Sequence, residues 1–248
     1  VVRGNKAKDR GAGIYVEKSN GKIKISNSVI DHNIAGTSND QGEGSGIYLN
    51  NGSQAIVVNT TVTQNITNRT SGGGALHVKD HGKFKIYNSI VWDNKNADAT
   101  PKLLNLTGGD DSDFEVYNTI VNANSNPDGI SGDGHNDGEN SGKINFTTHN
   151  PMFVNAAGND YTLDSFSPAI NQGNTSYYTS NVGSTTDVDM YKNARLAGGK
   201  IDLGAFENQS PIQQDAANIL YVDQNVTGGT GIGNSWANAI KDLGDALK

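Results

Sequence analysis

The sequence predicts an all-β chain folded as a right-handed parallel β-helix, a solenoid of short stacked strands. Three observations predict it. Four segments align without gaps: 23–33 (IKISNSVIDHN), 55–65 (AIVVNTTVTQN), 84–94 (FKIYNSIVWDN) and 114–124 (FEVYNTIVNAN). Their shared asparagines Asn27, Asn59, Asn88 and Asn118 are spaced by 32, 29 and 30 residues. The composition is rich in turn formers, with 33 asparagines and 31 glycines against 5 prolines. A period near 30 residues built from short strands suits a coil that climbs one strand spacing, about 4.8 Å, per repeat.

A second set of equivalences precedes each block. Gly13-Ile14-Tyr15-Val16 matches Gly46-Ile47-Tyr48-Leu49 and then Ala75-Leu76-His77-Val78, with Leu103-Leu104-Asn105-Leu106 as a weaker fourth copy. Each repeat therefore holds three short apolar pieces, none with the length or 3.6-residue periodicity of a helix. Asn5 lies 28 residues before Asn33 and fits the end of a partial earlier coil. Stacking predicts internal ladders of Ile25, Val57, Ile86 and Val116, of Ile23, Ala55, Phe84 and Phe114, and of Ile30, Val62, Val91 and Val121. Each such buried side chain stabilises by about 1.5–3 kcal/mol. Lys24, Lys85 and Glu115 alternate with them and point outward, and Ile56 breaks that pattern. The crossover rule for parallel strands gives the right hand.

The asparagines form two rows. Asn27, Asn59, Asn88 and Asn118 open a turn, and Asn33, Asn65, Asn94 and Asn124 follow six residues later. Asparagine tolerates left-handed backbone, and its amide can bond to the next coil, so both rows read as structural ladders. The numerous Asn-x-Ser/Thr triplets follow from this composition and are not read as glycosylation sites.

From Asn150 the repeat stops. The text runs Asn150-Pro151-Met152-Phe153-Val154, Ser167-Pro168-Ala169-Ile170-Asn171-Gln172-Gly173, Asp187-Val188-Asp189, Ala194-Arg195 and Ile201-Asp202-Leu203-Gly204-Ala205-Phe206-Glu207. This series resembles the end of the choice-of-anchor Q β-helix domains, and Gly73-Gly74-Ala75-Leu76 resembles the repeats of secreted bacterial β-helix proteins and autotransporter passengers. Asn171 replaces the family's Asp, and Met190-Tyr191 departs from its Asp-Gly. The resemblance implies a large, multi-module, Bacteroidetes-like secreted or surface protein. It also implies four regions: truncated coils over 1–149, a closing region over 150–207, a linker over 208–217, and over 218–248 the start of a second module. In the closing region, 201–207 would be a last strand over the open core, locked by Arg195 with Asp202 or Glu207. In the last region, a strand at 219–223 would precede a helix from Ser235 to Leu247, capped by Ser235 or Asn234, with Trp236, Ala239, Ile240, Leu243 and Leu247 on one face.

Charge and composition exclude several function classes. With no cysteine, there is no disulfide scaffold, thiolate metal site or cysteine nucleophile. Net charge is −7, so a basic nucleic-acid footprint is not expected. No run approaches the roughly 18 apolar residues of a membrane span. Polysaccharide-cleaving β-helices group acids around a water or set a cationic base beside calcium-binding acids. Asp110-Asp111 and Asn126-Pro127-Asp128 do not reproduce that order or spacing. The candidate cofactor is calcium, held by Asp133, Asp137 and Glu139 in the Gly-rich loop 128–142; Ile144 stands where an EF-hand has its glutamate. His77 and His81 are four apart in strand-and-turn sequence, which does not unite them on zinc. Tyr15, Tyr48 and His77 should stack, with Tyr87 beside Tyr117, as ladders suited to packing or to sugar rings. The function read from all this is a non-catalytic structural or adhesive module of an extracellular cell-surface protein. Its partners would be neighbouring modules, copies of the same protein or surface glycans. A polysaccharide-binding or polysaccharide-cleaving β-helix is the alternative.

Overall fold

The computed structural model describes residues 1–17, 21–37, 42–68, 73–96, 106–108, 113–121, 130–132, 144–184, 186–197, 199–209, 212 and 216–246. They form a parallel β-solenoid. A complete coil holds four short strands, as in Ile47–Asn50, Gln54–Val58, Thr61–Thr63 and Ile66–Thr67. The coils before and after repeat this set at Ile14–Glu17, Lys22–Ser26, Val29–Asp31 and Ile34–Ala35, then Leu76–Val78, Lys83–Tyr87, Ile90–Trp92 and Lys95–Asn96. Val2–Arg3 and Lys6–Ala7 extend the third and fourth positions at one end. Leu106–Gly108, Asp113–Val121, Ile130–Gly132 and Ile144–Thr147 continue the stack at the other.

The expected three pieces per repeat are therefore four strands. In three coils the eleven-residue block splits at its first asparagine, where φ is 45° to 48° at Asn27, Asn59 and Asn88; Asn118 has the same backbone, φ 46°, inside the continuous strand Asp113–Val121. A second left-handed residue, His32, Gln64 or Asp93, then turns the chain into a two-residue fourth strand too short to carry a periodic signal. The fourth copy of the first strand is also displaced. Leu106 and Thr107 pair with Leu76 and His77, two residues later than the sequence alignment set them.

The registers place the expected ladders side by side. Ile25, Val57, Ile86 and Val116 align, as do Ile23, Ala55, Phe84 and Phe114. Ile30, Val62, Val91 and Val121 align on the third strands. With Ile47, Leu49, Leu76 and Val78 they make one continuous apolar interior. Phe84 and Phe114 stack within it at 5.4 Å between ring centroids.

Residues 201–207 do not close the end of this interior. They form no strand, and with the rest of 150–207 they lie along the solenoid's flank. The cause is a second apolar stripe on the outside of the coils. Ile90 and Ile120 pack with Leu163, Ala169 and Leu203; Val29 packs with Tyr161, Ala205 and Phe206; Val58 packs with Tyr178 and Ile201. Ile56, the break in the outward polar row, sits under this belt. The belt itself is mostly irregular, with an antiparallel pair, Phe153–Asn155 and Asp160–Leu163, joined through a 3-10 turn at Ala156–Gly158, and an α-helix at Thr175–Asn181.

The helix expected from Ser235 is also different. A 3-10 turn spans Trp236–Asn238, extended backbone at Ala239 ends it, and a short helix follows at Leu243–Ala246. Ser235 precedes the turn without a side-chain capping bond. Val222 pairs with Ile240 in a parallel bridge, and Tyr221 meets Trp236 edge-on at 5.0 Å. Half of the proposed linker, residues 210, 211 and 213–215, lies outside the described residues.

Candidate functional site

The second asparagine row runs inside the solenoid. Asn33 donates through Nδ2 to Asn65 Oδ1 at 2.9 Å, and Asn65 donates likewise to Asn94 at 2.9 Å. Asn5 adds a member through its 2.9 Å bond to Asn33. Each Oδ1 also accepts the backbone N–H of the preceding member, and each Nδ2 reaches a carbonyl as well: Val2, Ile30 and Val62. Asn33, Asn65 and Asn94, all buried, thus both donate and accept through their amides, which is what a buried polar group requires.

The first row faces the belt. Asn59 donates to the Asp202 carbonyl at 2.7 Å, and Asn118 to that of Gln172 at 3.1 Å. Asn88 makes a reciprocal pair with the Asn174 backbone at 2.9 and 2.8 Å. Asn27 donates to the Tyr178 hydroxyl at 2.8 Å. Among the described residues, one bond runs along the row, from Asn88 Nδ2 to Asn59 Oδ1 at 3.2 Å. The belt is further tied by the Gly204 N–H to the Asn88 carbonyl and by Tyr161, whose hydroxyl donates to buried Asp31 at 2.7 Å. Asp31 also takes Arg3 at 2.9 Å.

Inside the belt is a buried charge cluster. Arg195 is fully buried and donates through Nη2 to the carbonyls of Gly204 and Asp202 at 2.7 and 3.2 Å. Its Nε stands 4.0 Å from Glu207. The carboxylates accept backbone N–H groups: Asp202 from Asn171 and Asn208, Glu207 from Ala197 and Asp202, Asp189 from Tyr191, Asn193 and Glu207. Burial pushes Asp202 up to about 6, and burial with the nearby Asp202 charge pushes Glu207 up to about 8. Burial lowers Arg195. The arginine expected as an end lock is thus the organising centre of the flank belt, held chiefly by carbonyls.

Two outward rows carry aromatic rings and charge. Tyr15, Tyr48 and His77 stack at 5.2 and 5.4 Å. This row is not an open platform: Tyr48 and His77 are covered, and Tyr15 at 45% is its exposed end. Arg10 forms an ion pair with Glu43 at 2.8 Å and stands 5.6 Å from the Tyr48 ring centroid, while His77 Nδ1 contacts Thr107 at 2.7 Å. Among the described residues the buried Tyr48 hydroxyl has no hydrogen-bond partner, and burial pushes it up to about 12. A cleft of about 410 Å³ lies beside Tyr15, lined by Ala7, Lys8, Asp9 and Arg10.

On the second strands, Tyr87 and Tyr117 stack at 5.8 Å, and Tyr177 from the belt joins them at 4.7 and 5.8 Å. Beside them Lys83 bridges Asp113 and Glu115 at 2.5 and 2.6 Å, and Lys85 meets Glu115 at 3.1 Å. Burial opposes the charge on Lys83, but its two carboxylate bonds outweigh that and raise it. Burial likewise opposes the Glu115 charge, and the two lysines outweigh it and lower its pKa. Tyr177 sits outside the repeat, so no sequence period could associate it with this row.

Asn124 and the calcium candidates Asp133, Asp137 and Glu139 lie outside the described residues. Among the described residues, no group of three or more His, Asp or Glu is placed to hold a metal. No family model, curated protein or solved structure matches the chain.

Proposed function

We propose that this chain is a structural or adhesive module, a stiff arm of a large extracellular cell-surface protein, whose work in this segment is mechanical and not catalytic. One observation carries the reading: the same coils are fastened twice, by an internal amide ladder and by a belt that touches successive coils from Asn27 to Asn118. A solenoid fastened along its length resists bending and local fraying, because each coil's neighbours are held by side chains as well as by strand pairing. Calcium in the loop containing Asp133, Asp137 and Glu139, and contacts with neighbouring modules or surface glycans, belong to the same reading.

Antibody raised against the folded chain should label intact source cells; label appearing only after permeabilisation would contradict the extracellular role. Incubation with pectic, alginate and xylan polysaccharides should release neither new reducing ends nor unsaturated uronates. Turnover that tracks the purified chain would overturn the non-catalytic reading. A second reading, polysaccharide binding, is favoured by the Tyr87–Tyr117–Tyr177 group beside its carboxylates and lysines. It predicts that Tyr177→Ala weakens retention on an immobilised polysaccharide.

A further inference from the structure

Among the described residues, the closest pair of tyrosine rings joins belt to coil. Tyr177 lies on the belt helix Thr175–Asn181, and its ring centroid stands 4.7 Å from that of Tyr87 on the coil strand Lys83–Tyr87, with the planes at 29°. Tyr117, one coil further on, is 5.8 Å from each of the two. Both sides of the closer pair are held. Asn174 caps the helix through the Ser176 N–H and is bonded in both directions to Asn88, the residue after Tyr87. Tyr178, next to Tyr177, is fully buried, packs with Val58 and bonds to Asn27 and Asp187. The rings are thus fixed relative to each other, yet Tyr87, Tyr117 and Tyr177 all keep part of their surface open to solvent.

We propose that Tyr87 and Tyr177 form an oxidative cross-linking site, at which a one-electron oxidant, a haem peroxidase with hydrogen peroxide, joins them as dityrosine. Each phenol gives up one electron and its hydroxyl proton. The two phenoxyl radicals join through a carbon–carbon bond between Cε atoms, ortho to the oxygens. The hydrogen on each bonding carbon then leaves as a proton while each oxygen takes one up. In all, two electrons and two protons leave the pair, and one hydrogen peroxide is reduced to two waters.

Directly joined rings have centroids only slightly closer than these two, so coupling needs a slide of the rings and no new path for the backbone. Held proximity favours this bond over coupling between molecules. Burial, with the Glu115 charge, raises Tyr87, so this ring enters as the neutral phenol. The chain has no cysteine, so no disulfide can tie belt to coils. The bond would close a span of 90 residues, from 87 to 177, and restrict the unfolded chain as a disulfide does. Tyr15 and Tyr48 serve as an internal control: their centroids are 5.2 Å apart, but Tyr48 is fully buried, out of an oxidant's reach. In the native setting the supply of oxidant rests on the extracellular reading, whereas the coupling itself rests on the ring geometry.

Treatment of the dilute full chain with peroxidase and hydrogen peroxide tests this. The monomer should lose two hydrogens in intact mass and gain dityrosine fluorescence. Digestion should yield the peptide containing Tyr87 joined to the one containing Tyr177. Tyr87→Phe and Tyr177→Phe, which keep the packed rings, should each lower the yield of this cross-link at least about tenfold. Tyr191→Phe, at an exposed tyrosine, should leave it unchanged. The cross-linked chain should unfold at higher denaturant than the untreated chain, and oxidised Tyr177→Phe should not. A monomer without dityrosine would overturn the proposal. So would coupling only between molecules, intramolecular dityrosine undiminished in Tyr177→Phe, or a product joining Tyr15 to Tyr48 in its place. Each of these failures leaves the stiff-arm reading standing, since that rests on the ladders and the belt.

Discussion

Asn33, Asn65 and Asn94 stand six residues after Asn27, Asn59 and Asn88, yet the two rows do different work. The later row is sealed inside the coils and bonds mainly to itself. The earlier row turns the chain with φ near +45° and offers its amides outward to the belt. One residue type serves both because a planar amide suits two environments. In the interior it donates and accepts along the stacking axis, so identical neighbours satisfy each other. At the corner, its tolerance of left-handed backbone sets the turn and leaves the amide free for another segment. The inner row holds coil to coil, and the corner row holds coil to belt.

Breaking the inner row should cost most. Asn65→Ala removes the acceptor for the Asn33 amide and backbone N–H, and the donor to Asn94 and Ile30. Several buried groups lose partners together, so a loss of about 3–5 kcal/mol is expected in chemical denaturation. Asn88→Ala should cost less, about 2–3 kcal/mol, from left-handed strain plus two bonds to Asn174. Asn88→Gly should recover about 1 kcal/mol of that, because glycine relieves only the strain. If the two asparagines cost the same and glycine recovers nothing, the division of labour fails.

The belt should also respond to pH where the ladder does not. Glu207 is raised in the folded chain to about 8, and its ordinary value is near 4.3. Its contribution is therefore fully present below about pH 4 and is lost as pH rises through about 8. Denaturation midpoints for the belt should fall over that window, and Glu207→Gln should flatten the slope. The smallest effect is expected at Tyr48→Phe, which deletes a buried hydroxyl that has no partner among the described residues. Stability there should be unchanged or higher by up to about 1 kcal/mol.

The coils were legible in the sequence because a solenoid writes its ladders at a fixed period. Phe84 over Phe114, and Val57 between Ile25 and Ile86, follow from that spacing alone. The two-residue strands such as Ile34–Ala35 were not, since two positions show no alternation. The position of the belt was hidden for another reason. Val29, Ile90 and Ile120 look like ordinary strand residues, and nothing local tells whether an outward β-branched side chain meets solvent or a distant segment. Ile56 was the one visible clue: an apolar residue in an outward charged row marks a covered spot. The helix expected across Ser235–Leu247 is realised as two short helical pieces, because asparagines and glycines that favour turns interrupt the apolar spacing and Ala239 adopts extended backbone.

The central claim is that belt and coils are separately fastened, and hydrogen exchange on Asn88→Gly with the full chain tests it most directly. The account predicts faster exchange in belt amides that bond to the solenoid, such as Asn174 and Gly204, while Ile47, Ile66 and Lys83 keep their protection. Uniform loss across coils and belt would contradict it, as would protection lost in the coils alone.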